Sequence, residues 1–474
     1  MTEEEPLNGF TGFARRKPGF IPASVSVGHT PVPSGSTRGG LGSSPLSDRE
    51  ERTYPFSPDT PKSPAAQGAF QYARDHERNA SGTLSFDPDK LRTISAIDRR
   101  WSWVEVDLSA IRHNVGEYRR RLGSGTRLMA VVKADAYGHG SVQVARTALH
   151  SGAEWLGVAT VDEAIKLREA LVNAPILVLS EPPVTAAPLL LAYKVVPAVY
   201  TPEFAIAYAE TADAFGLRAP YHLAINTGMN RIGVQHDRVI EFMTQVGFHR
   251  ALDLNGVFTH FATADEAETL DFQIQAKRFI EAVSALRAAG IDPGIVHAAN
   301  TAAGARFADV HFDMARLGVS LYGLHPSAQT RPLLDLRPAM SVHARITDVR
   351  TVPLGEGVSY GLDYRSPGSV KVCTLPIGYA DGLRHELSGR TDVILDGRRC
   401  RQVGQICMDM CMFEVDMRIY GTRRRLDPQI GDEVLLVGSQ GDAAITLDEM
   451  ADALGTINYE IACGFGMRLP KVFR

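Results

Sequence analysis

The apolar positions divide the chain into three regions. From residue 1 to about 95 they show no sustained period, and the stretch is rich in Gly, Pro, Ser and Thr, as in GHTPVPSGSTRGGLGSSPLSD. Such a segment cannot bury enough apolar surface to offset its ordering entropy, and it reads as a disordered tail. One local exception, AAQGAFQYARDHER, fits a short helix over 65–78. From WSWVEVDLSAIRHNV onward the pattern is that of a packed chain. Alternation over 101–107 predicts a strand, and Asp107 or Ser109 caps the helix after it.

Apolar runs of strand type then recur at about 127–133, 155–160, 175–180, 195–200, 221–226, 254–260, 294–298 and 315–322. Between most of them lie stretches with apolar residues at helical spacing, among them VQVARTALHSG, VDEAIKLREAL and DFQIQAKRFIEAVSALRAAG. Strand and helix in turn, about eight times, predict a parallel (β/α)8 TIM barrel. An open doubly wound sheet is the competing α/β arrangement, but no Gly-rich dinucleotide turn follows the first strand. After about residue 340, short alternating runs such as SVHARITDV, VKVCTLPI, TDVILDG and DEVLLVG predict a C-terminal antiparallel β domain. One late helix is expected near 447–454. The expected organisation is a disordered tail over 1–95, a barrel over 96–340 and a β domain over 341–474. The first strand, 101–108, is a candidate to join the last of these.

Composition narrows the class. The 474 residues leave room for a large core. Lys and Arg total 50 against 54 Asp and Glu, so neither nucleic acid nor a membrane surface is an expected partner. No apolar run approaches the roughly 20 residues that cross a bilayer. The start, MTEEEPLNGF, lacks the charged-then-apolar pattern of an export signal, and a cytoplasmic location is expected. Five cysteines, an odd number, fit reduced thiols. Cys407 and Cys411 lack a second pair or nearby histidines for a metal site. They are read as buried free thiols, and no metal is expected.

In a parallel barrel the chemistry sits at the C-terminal ends of the strands. Lys133 closes LMAVVK, with Tyr137 in the loop beyond. Asn226 and Arg231 follow the fifth barrel strand, His260 ends the sixth, Asn300-Thr301 follow the seventh, and the eighth carries Arg316, Gly318 and Val319. The loops after the seventh and eighth strands are the usual phosphate site of such barrels. There Asn300 and Thr301 offer side-chain donors, and Gly318-Val319 offer backbone N–H groups. A desolvated lysine beside a phosphate site suggests a Schiff base. That combination means either a sugar-phosphate aldolase or pyridoxal 5′-phosphate (PLP).

VVKADAYGHG, THFATADE, HAANTAAGARF, VSYGLDY, PIGYADG, ICMDM and TINYE, in that order, closely resemble the alanine racemase family over about residues 101–474. The resemblance implies a PLP-dependent homodimer that interconverts L- and D-alanine, with supply of D-alanine for peptidoglycan as the usual family role. It implies Lys133 as the PLP lysine, with Tyr137 near the phosphate and Asn300, Thr301, Gly318, Val319 and Tyr459 completing the phosphate cradle. Thr301 stands where serine is common and keeps the hydroxyl. Arg316 faces the pyridine nitrogen, supported by His260, with His297 a less definite neighbour. Tyr360 is the second catalytic base, supplied by the other subunit. Met408 and Asp409 line the substrate site, also across the dimer, and Tyr379 belongs to the entrance.

The chemistry fits those roles. Racemisation needs a proton removed on one face and delivered on the other, and Lys133 and Tyr360 can serve one face each. A phenol needs cationic or hydrogen-bonding neighbours to act as a base near neutral pH, and Arg231 and His260 can provide them. An arginine only donates, so Arg316 keeps the pyridine nitrogen unprotonated. Related PLP decarboxylases place a carboxylate there. Non-catalytic PLP-binding relatives lack the C-terminal domain and its bases. Serine or a broader amino-acid range is the alternative substrate. One departure stands out: Ala224 replaces a lysine, often carbamylated, that positions Arg231 in many members, and Asn226 stands where aspartate is common. Activity is expected to survive, with altered turnover or preference.

Overall fold

The computed structural model describes residues 95–416 and 426–474. The expected tail, except for Ser95, and its short helix over 65–78 lie outside the described residues. Strand β1, Ser102–Val106, leads into a helix over Leu108–Arg121. Asp107 caps that helix, its carboxylate accepting from the N–H groups of Ser109 and Ala110 at 2.7 and 3.1 Å.

The barrel strands follow: β2 Arg127–Val131, β3 Trp155–Val158, β4 Ile176–Val178, β5 Val196–Val199 and β6 Ala219–Asn226. A two-residue strand β7, Val234–Gln235, pairs with β6. Then come β8 Leu252–Phe258, β9 Ile295–His297 and β10 Met314–Leu317. The parallel order is β10-β2-β3-β4-β5-β6-β8-β9. Backbone bonds from Asp313 N to Val296 O and from Arg316 N to Ala299 O, both 3.0 Å, bring β9 beside β10 and nearly close the barrel. Helices over Ser141–His150, Val161–Glu169 and Leu270–Ala288 each begin within one residue of their expected place.

Alternate residues on these strands take opposite sides. Leu128 and Ala130 pack with the helices in the main core, while Met129 packs with Leu177 and Met314 inside the barrel. The interior also holds His222, His297 and Arg316, all buried. The barrel is therefore filled by apolar side chains in one part and by a buried polar group in another.

The remaining strands form an antiparallel sheet in the order Asp348–Val352, Val370–Leu375, Cys411–Asp416, Arg398–Val403, Asp392–Leu395, Glu433–Gln440 and Met340–Arg345. Strand β1 continues this sheet, antiparallel to Met340–Arg345, and pairs on its other side in parallel with Lys471–Phe473. The late helix spans Leu447–Leu454, as expected, and a second one, Asn458–Gly464, carries the TINYE motif.

Several boundaries differ from the sequence reading. The run at 315–322 is a short strand followed by a 3-10 turn, Val319–Tyr322. Lys133 and His260 lie two residues beyond their strands rather than at the ends. Cys411 is buried on its strand, but Cys407, in the loop before it, is only half-buried. Among the described residues, no helix is long and apolar enough to cross a membrane.

Candidate active site

A cavity of about 720 Å3 opens where the barrel strands end, and Lys133 lines it. Burial pushes the Lys133 ammonium pKa down, as does the Arg231 guanidinium, while Glu163 and Cys463 oppose the shift. The four residues after it are left-handed, with φ of 52°, 51°, 57° and 50° at Ala134, Asp135, Ala136 and Tyr137. None is glycine, and such a conformation costs roughly 1–2 kcal/mol per residue. Side chains hold the turn. Glu163 Oε1 accepts from Ala134 N at 2.6 Å. Asp135 accepts from Lys166 Nζ at 2.7 Å and from Ser141 N at 3.0 Å, and pairs with Lys471 at 3.1 Å. Burial alone would raise the Asp135 carboxyl, but these partners outweigh it and hold its pKa at about 2.

Just past β10, the strand paired with β2, Gly318 N donates to Thr301 Oγ1 at 2.8 Å. A Cβ on Gly318 would stand 3.3 Å from both Thr301 Oγ1 and the Tyr137 hydroxyl. The Tyr137 ring packs on Tyr322 and Tyr459, with centroids 4.8 and 6.0 Å away. Burial pushes the phenols of Tyr137 and Tyr459 up, so both stay neutral. Val319 lines the same wall. Asn300 is there too, but its amide serves the protein: Oδ1 caps the helix Thr301–Arg306 at Ala303 N, and Nδ2 donates to Phe261 O.

Arg316 is buried and well satisfied. It donates to Thr259 O at 2.8 Å, to Ala298 O at 3.0 Å and to His297 Nδ1 at 3.0 Å, with His260 Nδ1 at 3.3 Å. Since arginine only donates, the His297 Nδ1 must accept, and its Nε2–H then faces His222 Nδ1 at 2.8 Å. Burial keeps both His260 and His297 well below the usual imidazole range. Arg316, Arg231 and Lys133 add to this for His260, and His222 and Arg316 for His297. Burial also brings Arg316 down to about 10, which leaves it charged near neutral pH. His297 is thus a direct partner of Arg316 and the closer of the two histidines.

The chain matches the family models described as alanine racemase, N-terminal domain, over residues 106–326, and alanine racemase, C-terminal domain, over 339–473. It is 42% identical to an alanine racemase of Synechocystis over 377 residues, which is 79% of this chain and 99% of that one. Its fold is similar to the crystal structure of alanine racemase from Bacillus anthracis with bound L-Ala-P. There the TM-score is 0.74 at 39% identity, covering 79% of this chain and 95% of the other. This chain belongs to the alanine racemase family. The fold is also similar to that of a histidine racemase from Leuconostoc mesenteroides, with TM-score 0.71 at 28% identity, covering 79% and 98% of the two chains.

The cofactor of the alanine racemase family is PLP, and the residues present fit it. The cavity pairs a desolvated amine with a hydroxyl cradle so close that one added methyl at Gly318 would crowd it. The same cavity is lined by a guanidinium, Arg316, whose partners fix its direction.

The other residues expected from the resemblance lie elsewhere in this chain. Tyr360 is 75% exposed on the 3-10 turn Tyr360–Leu362. Met408 is 53% exposed, and Asp409 pairs with Arg468 at 2.6 Å. Backbone bonds from Tyr379 N to Cys407 O and from Ala380 N to Met408 O, both 3.0 Å, put Tyr379 beside Met408. All four belong to the part of the chain that carries the antiparallel sheet, and none lines the cavity. Arg231 does line it. Among the described residues no carboxylate pairs with it. Ala224 is 2% exposed and packs with Ala198 and Phe258. The Asn226 side chain is taken up by its own loop, at Gly228 N, Asn230 N and Asn230 Oδ1. Two cavity neighbours went unread in the sequence. Cys463 lies four residues after Tyr459 on one helix, a spacing that puts them on one face. Glu163 belongs to a T-x-x-E capping box that opens the helix Val161–Glu169.

Proposed function

We propose that the protein interconverts L-alanine and D-alanine by a two-base reaction on bound PLP, in a homodimer where each subunit lends Tyr360 to its partner's barrel. The carrying observation is the separation of the two bases: Lys133 lines the barrel cavity, while Tyr360 is exposed and lines none of it. The cofactor supplies the electron sink that makes the α-proton removable. Lys133 Nζ takes or returns that proton at Cα on one face. Tyr360 does so on the other face, steadied by Arg231 and His260. Met408 and Asp409 close the substrate site from the partner, with Tyr379 at the entrance. Tyr137, Asn300, Thr301, Gly318, Val319 and Tyr459 surround the phosphate, and Arg316 holds a donor, never an acceptor, toward the ring nitrogen. The barrel spans 96–340 and the β domain 341–474, with β1 part of the latter. The enzyme is cytoplasmic and supplies D-alanine for peptidoglycan.

The test is complementation. Lys133→Ala and Tyr360→Phe homodimers should each be nearly inactive. Mixed and reassociated, they should recover activity, because one site in each heterodimer draws Lys133 and Tyr360 from different chains. No recovery would overturn the shared site. A second substrate reading, serine or a broader range, draws on the small side chains Ala159, Ser180 and Ala224 in the cavity wall. Deuterium uptake at Cα from D2O, measured across L-amino acids, ranks the substrates directly.

A further inference from the structure

We propose that Glu163 is a positioning residue for Lys133, its carboxylate bridging two loops to hold the strained turn that aims the amine. The proposal rests on Lys133 being one of the two bases.

The segment from Ala134 to Tyr137 is left-handed without a glycine, so its shape needs external support. The helix Val161–Glu169 supplies part of it. Glu163 and Lys166 stand three residues apart on one helix face, and both reach the turn. Glu163 Oε1 takes the N–H of Ala134, the residue after Lys133, at 2.6 Å. Its Oε2 takes Ala159 N at 2.7 Å and Thr160 N at 3.3 Å. One carboxylate therefore ties the loop after β2 to the loop after β3. An ordinary capping box would use only the contact to Thr160 N.

Charge adds to geometry. The ionisable groups acting on the Lys133 amine are Arg231, Glu163 and Cys463, and Lys133 in turn acts on His260. Asp135, next but one in the chain, is already engaged by Lys166 and Lys471. Glu163 is thus the carboxylate that offsets Arg231 at the amine.

Two variants of the holoenzyme separate positioning from capping. Thr160→Ala removes the hydroxyl that accepts from Glu163 N at 3.2 Å and weakens the helix start alone. Glu163→Gln keeps one acceptor oxygen, which cannot serve both loops, and removes the charge. Thr160→Ala should lower the melting temperature and leave the kinetics unchanged. Glu163→Gln should lower kcat about tenfold to a hundredfold. It should also move the Lys133 limb of the pH profile to lower pH and speed hydrogen exchange over 133–140. The primary deuterium isotope effect should rise in one direction of racemisation only, since one base is affected.

If Glu163→Gln lowers the melting temperature as Thr160→Ala does while kcat, pH profile and exchange stay native, the proposal is overturned. Should that variant not fold, Glu163→Asp keeps the charge but withdraws the carboxylate. A loss in kcat with the pH limb in place is then expected, and native kcat overturns the proposal. Exchange over 133–140 judges the support of the turn by itself. Equal isotope effects in both directions together with lost protection would instead count against the two-base reading.

Discussion

At Gly318 a single methyl group separates two outcomes. Its backbone lies outside the left-handed region, at φ −97° and ψ −110°. The added Cβ would stand 3.3 Å from the hydroxyl oxygens of Thr301 and Tyr137. Gly318→Ala should cost the cofactor-free protein about 1 kcal/mol of stability, read by urea unfolding. PLP affinity should fall about tenfold, read by equilibrium titration. The buried histidines make a second prediction. Burial holds His222 at about 3 and His139 at about 4, against an unfolded value near 6.5. Below about pH 6.5 the unfolded chain binds protons that the fold cannot. Stability should therefore fall as pH drops, by up to about 1.4 kcal/mol per pH unit for each such histidine. Urea midpoints at neutral and mildly acidic pH measure the slope, and His222→Gln should reduce it by one histidine's share.

Elements differ in how openly the sequence declares them. The barrel strands were legible because parallel strands are apolar on both faces, and the capped helices between them have a clear period. The handedness of the turn at 134–137 was not legible. Alanine, aspartate and tyrosine carry no local signal for positive φ, and the side chains that impose it come from residues 163, 166 and 471. His297 was named only through the resemblance, as the less definite neighbour of Arg316, because only closure between β9 and β10 brings its Nδ1 to that guanidinium. Ala134→Gly should therefore split stability from function. It relieves left-handed strain, so stability should hold or rise by up to about 1 kcal/mol. The freed turn should aim Lys133 less well, and kcat should drop. A parallel fall of melting temperature and kcat would count against this account.

Across the whole molecule, strand β1 lies early in the described chain yet sits in the antiparallel sheet, between Met340–Arg345 and Lys471–Phe473. That last strand also reaches the Lys133 turn, through the Lys471–Asp135 pair and through the Phe473 ring packed under Gly140. The candidate site is thus divided. Its barrel residues could be gathered from strand ends, but part of their support comes from a distant strand that no local pattern connects to them. During synthesis the turn after residue 133 leaves the ribosome long before residue 471 does. The PLP site therefore cannot take its final form co-translationally, and the nascent barrel has to wait, with its lysine loosely held, for the far strand to dock. Ribosome-bound chains stalled before residue 471 should not retain PLP, whereas released full-length chains should.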